Sequence, residues 1–336
     1  MNDTSKKPLT LKEILITIYQ TILIGLKNTL KTGWFIIKIV IPITFIIKLL
    51  QHLDLIPYIT FLFEPLMKLF GLPGDAALVL LSSYFINIYA GLVVMANFTF
   101  SIKHINILAM MILFAHSLLI ETSVIKSLGI PRYKQLIVRL GASFLTGILL
   151  NFAIGPHMSE LVIGTGSQPI DHARFSLESF PMFLAWFQDL MIDFGLSVFT
   201  SVTQIMIIIG LVLIGVEFLK VTKIFDHLNN LLYQTTKFLG IRKEATTPLF
   251  VGLFVGITYG AGTILLSYKN NEMNNRDVLL VSLFLCLAHA LVEDTLLFAK
   301  MGANVLLILF GRLLLAVLVV FITSKYTKNL NTINQK

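Results

Sequence analysis

Charge is what this chain has least of. Asp, Glu, Lys and Arg make up 13% of its 336 residues, against 56% apolar residues. Soluble chains average about 25% charged residues, so this composition, with a mean hydropathy of +0.85, excludes a soluble globular protein. Cysteine is nearly missing: Cys286 stands alone in an apolar run, which rules out a disulfide framework or zinc ribbon within the chain. GxSxG, GxGxxG, P-loop and Ser-His-Asp patterns are also missing, and with them the common signals of hydrolases, dinucleotide binding and NTP hydrolysis. The polar start, Met1 to Pro8, has no following apolar stretch with a small-residue cleavage site, so no secretory signal peptide is expected. The net charge of +8 does not point to nucleic acid, because the basic residues are distributed as membrane-orientation signals.

What is present is apolar length. Ile105 to Leu119, Ser201 to Val216 and Val305 to Thr323 carry almost no charge, the last interrupted only by Arg312. The chain also repeats itself. Ala115-His116-Ser117-Leu118-Leu119-Ile120-Glu121-Thr122, running on to Gly129, returns as Ala288-His289-Ala290-Leu291-Val292-Glu293-Asp294-Thr295, running on to Gly302. His116 and His289, Glu121 and Asp294, and Arg139 and Arg312 are each 173 positions apart. Phe70-Gly71 answers Leu239-Gly240, and Tyr19-Gln20 answers Phe187-Gln188, at offsets of 169 and 168. Two related halves in an apolar chain are a mark of permeases.

The expected fold is an all-α polytopic membrane protein of two inverted repeats. Each repeat has an interfacial helix, three transmembrane helices and one re-entrant helical hairpin. The first occupies residues 1–157, with an interfacial helix over Leu9 to Leu30, a span over Gly33 to Leu50 and a hairpin at about 75–102. Residues 158–179 form a linker. The second occupies 180–324, with an interfacial helix over Phe180 to Phe194, a span over Leu196 to Leu219 and a hairpin at about 245–268. Residues 325–336 are a cytoplasmic tail. Breaks are expected at Asn87 to Gly91 and at Thr258 to Gly262, while Ile105 to Leu128 and Val278 to Phe298 are read as single spans.

Charge decides whether the interrupted segments cross. If both fold back, 18 Lys and Arg lie on the side of the N-terminus, four lie opposite and four sit within spans; if both cross, the split is 12 against 10. The positive-inside rule favours hairpins and an inner-membrane protein with both termini cytoplasmic. Three crossings per half is an odd number, so the second half enters from the opposite face. The hairpin tips then meet near the midplane, where irregular backbone is tolerable only beside protein or a water-filled cavity.

The sequence resembles the Gate, or nucleoside-recognition, family. Pro65-Leu66-Met67 leading to Gly71-Leu72-Pro73-Gly74, the Asn87 to Gly91 break and the Ala115 to Thr122 segment carry the likeness. Similar modules occur in spore maturation proteins and in the membrane part of ferrous-iron permeases. The family is considered related to concentrative nucleoside transporters, whose inverted repeats contain hairpins. The resemblance implies an architecture and, less directly, a nucleoside or nucleobase as cargo. The iron permease module places cysteine in its hairpin; both hairpins here lack one.

The candidate substrate-binding residues are Asn87, Tyr89 and Gly91, Thr258, Tyr259, Gly260 and Gly262, together with His116 and His289. Glycine permits close backbone approach, and Asn, Thr and Tyr offer donors and acceptors. Tight turns alone would account for the glycines, and helix packing alone for the histidines. Glu121, Asp294 and Glu293 are candidates for ion coupling, with Arg139 and Arg312 as counter-ions; structural ion pairs are the alternative for the same residues. His289 and Glu293, at i and i+4, share a helix face, but the first half has Ile120 in place of the glutamate, so no metal site and no cofactor are expected beyond Na⁺ or H⁺ as a coupling ion. The expected partners are a small polar solute and the lipid bilayer, with a second copy or another membrane subunit left open and no nucleic acid. A secondary transporter is the expected function. A non-transporting membrane partner or assembly factor, and an intramembrane enzyme acting on a lipid-linked substrate, are the alternatives.

Overall fold

A computed structural model describes residues 11–157, 162–164, 179–222 and 224–327. Two helices of 42 residues, α1 (Leu11–His52) and α8 (Phe180–Val221), open the two halves. At 1.5 Å per residue each is about 63 Å long, twice the ~30 Å hydrocarbon core. The interfacial helices expected over Leu9 to Leu30 and Phe180 to Phe194 are therefore not separate elements: each runs unbroken into the span that follows. Lys31-Thr32-Gly33 changes the polarity of the surface without breaking the backbone ladder, and even Pro42 sits inside α1.

The two long helices pack antiparallel. Gly25 lies against Ile214 and Gly33 against Met206, while Phe45 meets Phe194 edge-on at 5.5 Å. Near the end of α1, Lys48 pairs with Asp193 at 3.0 Å, and Trp186 Nε1 donates to the His52 carbonyl at 3.3 Å. The glycines let the helices approach where a side chain would clash, and the buried Lys48 charge is tolerable because its partner is there.

After α1 come the short α2 (Ile56–Leu69), then α3 (Ala76–Phe85) and α4 (Ile88–Met95), a helical hairpin. A strand, Thr99–Ser101, pairs antiparallel with Val162–Gly164. This small ribbon was not expected, and it involves the described part of the 158–179 linker, the remainder of which, apart from Ser179, lies outside the described residues. There follow α5 (Ile102–Ala115), α6 (Leu118–Lys126) and α7 (Arg132–Leu149). The second half gives α9 (Ile224–Thr236), a hairpin of α10 (Thr246–Val255) and α11 (Ile257–Lys269), then α12 (Asn275–Leu287), α13 (Leu291–Lys300) and α14 (Val305–Tyr326). Of the expected tail, residues 328–336 lie outside the described residues. The loop before α10 is tied down by Arg242, whose Nε donates to Asp277 at 2.8 Å; that bond raises the Arg242 pKa above its ordinary value.

Six helical stretches among the described residues are long and apolar enough to cross a membrane. Two of them, Ile102–Lys126 and Asn275–Lys300, have 78% and 83% of their most apolar window buried, against 22–33% for the other four. The histidine-bearing spans are thus the centre of the bundle and the others its lipid-facing wall. Hairpin limbs of 10, 8, 10 and 13 residues reach about 12–20 Å, short of the ~30 Å core.

Candidate functional site

Both central spans are broken. α5 stops at Ala115 and α6 starts at Leu118; α12 stops at Leu287 and α13 starts at Leu291. The expectation of single continuous spans is corrected at both places. Ser117 (φ 51°) and Ala290 (φ 44°) take the left-handed conformation, uncommon for residues other than glycine. Tertiary bonds hold each break. Ser117 N–H donates to the Ser83 carbonyl at 2.9 Å, and Ala290 N–H to the Gly252 carbonyl at 3.2 Å. Each elbow therefore hangs on the first limb of the hairpin in its own half.

Arginines accept the task of covering the carbonyls freed by the breaks. Arg139 donates from Nε to Phe114 O at 2.9 Å and from Nη2 to His116 O at 2.8 Å, and Arg312 Nη2 donates to His289 O at 2.7 Å. Both guanidinium groups are fully buried. Each also meets the carboxylate of its own half: Arg139 pairs with Glu121 at 2.7 Å and Arg312 with Asp294 at 3.2 Å. The ion pairs thus form within halves, and each arginine joins a helix break to an acid in the first turn of the next helix, where the helix dipole favours negative charge.

The breaks bring His116 and His289 face to face, with Nε2 atoms 3.2 Å apart. Glu121 Oε1 lies 3.1 Å from His116 Nε2 and 3.5 Å from His289 Nε2, so a first-half carboxylate serves both histidines. Glu293 is not on a common helix face with His289, because the helix is interrupted between them; its Oε1 instead accepts from Tyr89 Oη at 2.6 Å, across the two halves.

The hairpin tips complete the arrangement. In the first, the break is at Ile86-Asn87, and Asn87 Oδ1 caps α4 by accepting from Ala90 N at 2.9 Å. In the second it is at Gly256, two residues before the expected Thr258; Gly256 has φ 110°, which a side-chain-bearing residue rarely adopts, and Thr258 to Gly262 fall within the first turns of α11. A cavity of about 280 Å³ is lined by both tips and both elbows, including Asn87, Tyr89, His116, Glu121, Thr258, Tyr259, His289, Glu293 and Asp294. Helices α4, α6, α11 and α13 all begin at its wall.

The remaining expected residues lie elsewhere. A Cβ on Gly91 would stand 2.7 Å from the Ser83 Cβ, and one on Gly260 2.7 Å from the Gly252 Cα, so these glycines allow hairpin limbs to touch. Gly262 is exposed with open space around it. Arg139 and Arg312 stand behind the acids. A larger cleft of about 580 Å³, around Ser127 to Lys134 and Tyr268 to Leu279, lies apart from this chemistry. Missed from the sequence were Ser117 and Ala290, whose local residues carry no breaker signal, and the Lys48–Asp193 pair, signalled only by a lysine inside a span.

A six-span helical bundle with broken central helices defines an integral, polytopic membrane protein. The chain belongs to the Gate family, described as nucleoside recognition, which matches residues 34–131. That stretch contains the first hairpin, His116 and Glu121. Across nearly its full length the chain is similar to YvoD of Bacillus subtilis (strain 168), described as an uncharacterized membrane protein. The two share 30% identity over 298 residues, 88% of this chain and 91% of that protein. No solved structure matches the chain.

Proposed function

We propose that this protein is a secondary permease for a small polar solute, with the nucleoside or nucleobase class suggested by the family's description. The observation that carries the reading is the cavity itself. Polar side chains from both halves converge there, among spans that are mostly apolar, and irregular backbone at membrane depth is expected only around a cavity or within protein. Asn87 Nδ2 is buried at this wall and has no hydrogen-bond partner among the described residues, which leaves a donor for a ligand. Its volume lies near the small end of ligand pockets, about 300–1,000 Å³.

The antiparallel pairing of α1 and α8 supports the inverted-repeat reading, in which the pair serves as a scaffold in the inner membrane and the hairpins and elbows form a midplane site. Proton or Na⁺ coupling falls to the Glu293–Tyr89 contact, the one carboxylate contact at the cavity that involves neither arginine nor histidine among the described residues. The test is uptake of labelled nucleosides and nucleobases into proteoliposomes under imposed pH and Na⁺ gradients. Gradient-driven accumulation by the wild type, with Tyr89→Phe folded but altered in its ion dependence, is the expected result. Absence of both uptake and ligand-induced thermal stabilisation for these solutes would reject the cargo assignment.

A further inference from the structure

The histidine pair has a property that solute binding does not use. His116 Nδ1 lies 3.0 Å from the Ile112 carbonyl, and His289 Nδ1 lies 2.7 Å from the Leu285 carbonyl. A carbonyl oxygen only accepts, so both Nδ1 atoms carry hydrogen. In the neutral rings both Nε2 atoms are then bare lone pairs, yet they face each other at 3.2 Å. Glu121 Oε1 supplies a third lone pair, 3.1 and 3.5 Å from them. Three acceptors at such separations repel one another unless a cation lies among them.

The dimensions of the triangle discriminate between cations. A single proton, even shared in a three-centre bond, bridges at most two edges and leaves the third repulsive. A metal ion at ~2.0–2.1 Å from nitrogen and ~2.0–2.2 Å from oxygen, with tetrahedral angles, sets donor–donor edges of ~3.3 Å. The three edges here, 3.1, 3.2 and 3.5 Å, bracket that value. A further carboxylate is near the histidines: an oxygen of Asp294 and a ring nitrogen of each histidine lie within 4.8 Å of one another. The surroundings also fit. Metal-bound histidines commonly donate their other ring N–H to a backbone carbonyl, as both do here, and ligating carboxylates are themselves held, as Arg139 holds Glu121 Oε2 at 2.7 Å. The buried cluster sets three carboxyl groups (Glu121, Glu293, Asp294) against two guanidinium groups, a formal surplus of negative charge.

We propose that His116, His289 and Glu121 bind a divalent transition-metal ion such as Zn²⁺ or Co²⁺, with the fourth position open to Asp294 or water. The sequence could only weigh His289 with Glu293, and the helix break removes that pair while creating this one. The inference stands on the donor set and does not depend on the permease reading.

The experiment is a Co²⁺ titration of the untagged full-length protein, purified in detergent and stripped with a chelator. The expected result is one Co²⁺ per chain with the visible absorption of a four-coordinate N/O site, displaced by Zn²⁺. His116→Ala and His289→Ala should each weaken binding at least ~100-fold, the upper range for losing even an outer-shell partner. His157→Ala, outside the cavity, should leave it unchanged. Substoichiometric uptake by a monodisperse wild type, or full binding by the double histidine variant, overturns the proposal. If the histidine variants do not fold, X-ray absorption of the metal-loaded wild type decides: two imidazole ligands support the site, and an oxygen-only shell refutes it. Failure of nucleoside uptake would leave these readings untouched, just as a metal-free result would leave uptake untouched.

Discussion

Arg139 and Arg312 show how a residue can be both expensive and indispensable. Each is fully buried, and each stabilises two things at once: the carbonyls of a broken helix and an acid in the next helix. Removing one partner of a buried pair typically costs about 3–5 kcal/mol, because the other charge is stranded. Arg139→Ala is accordingly expected to lower the unfolding free energy of the detergent-solubilised protein by that order, read as a lower denaturation midpoint. An accompanying Glu121→Gln change should recover part of the loss, since it removes the stranded charge. Equal stability of Arg139→Ala and wild type would dissociate the arginine from the elbow. These residues were legible in the sequence because a histidine, an acid and an arginine at one constant offset of 173 are too costly in apolar spans to recur by drift. Lys48 and Asp193 were not legible as a pair: they are distant in the chain, and only the packing of α1 on α8 joins them.

Among the elements, the broken spans were the least visible. His116-Ser117 and Ala288-His289-Ala290 contain neither glycine nor proline, and as isolated peptides nothing would stop them from being helical. The break comes from outside, through the hairpin carbonyls and the arginines, so local propensity is overridden by tertiary bonds. The strain at these elbows is testable. Ala290→Gly, which relieves a φ of 44°, is expected to raise stability by about 1 kcal/mol. Gly256→Ala is expected to lower it by about 1–3 kcal/mol, on conformational grounds alone, since a Cβ there meets only Ala290 Cβ at 3.9 Å. Thermal melts of the two variants check both signs. The hairpins, by contrast, were readable from polarity and length, although the second break fell at Gly256 because backbone conformation, not the cluster of polar side chains, sets where the helix ends. The length of the first helices is hidden in the sequence for the opposite reason: a polar step looks like a break, but charge alone does not interrupt a helix.

For the molecule as a whole, the proposed topology has six crossings with both ends on one side, and the skew of Lys and Arg would make that side cytoplasmic. Single cysteines introduced in a Cys286→Ser background offer a check. A label at Asn271, between α11 and α12, should react only from the cytoplasmic side, and one at Lys103 or Gly302 only from outside. Were the hairpins to cross, Lys103 would report from the cytoplasmic side. The all-α class and the six apolar helical stretches were visible in the chain because apolar length is an additive property. How the two halves interlock was not, since it rests on contacts such as Tyr89 to Glu293 and His116 to Glu121 and His289, whose closeness depends on the fold.

The two elbow amides have a mechanical consequence. Each is a latch, one N–H holding one hairpin to one elbow: Ser117 to Ser83 and Ala290 to Gly252. A hairpin that swings away from its elbow breaks that latch, whereas one that moves with its elbow keeps it. Amide exchange on the purified protein separates the two cases. If the bundle opens by unlatching, Ser117 or Ala290 exchanges faster than its buried helical neighbours while one side is open, and a ligand that closes the cavity slows it. If both amides stay as slow as the core under all conditions, hairpin and elbow travel as a single rigid lever, and any gate lies where that lever slides against the long antiparallel pair.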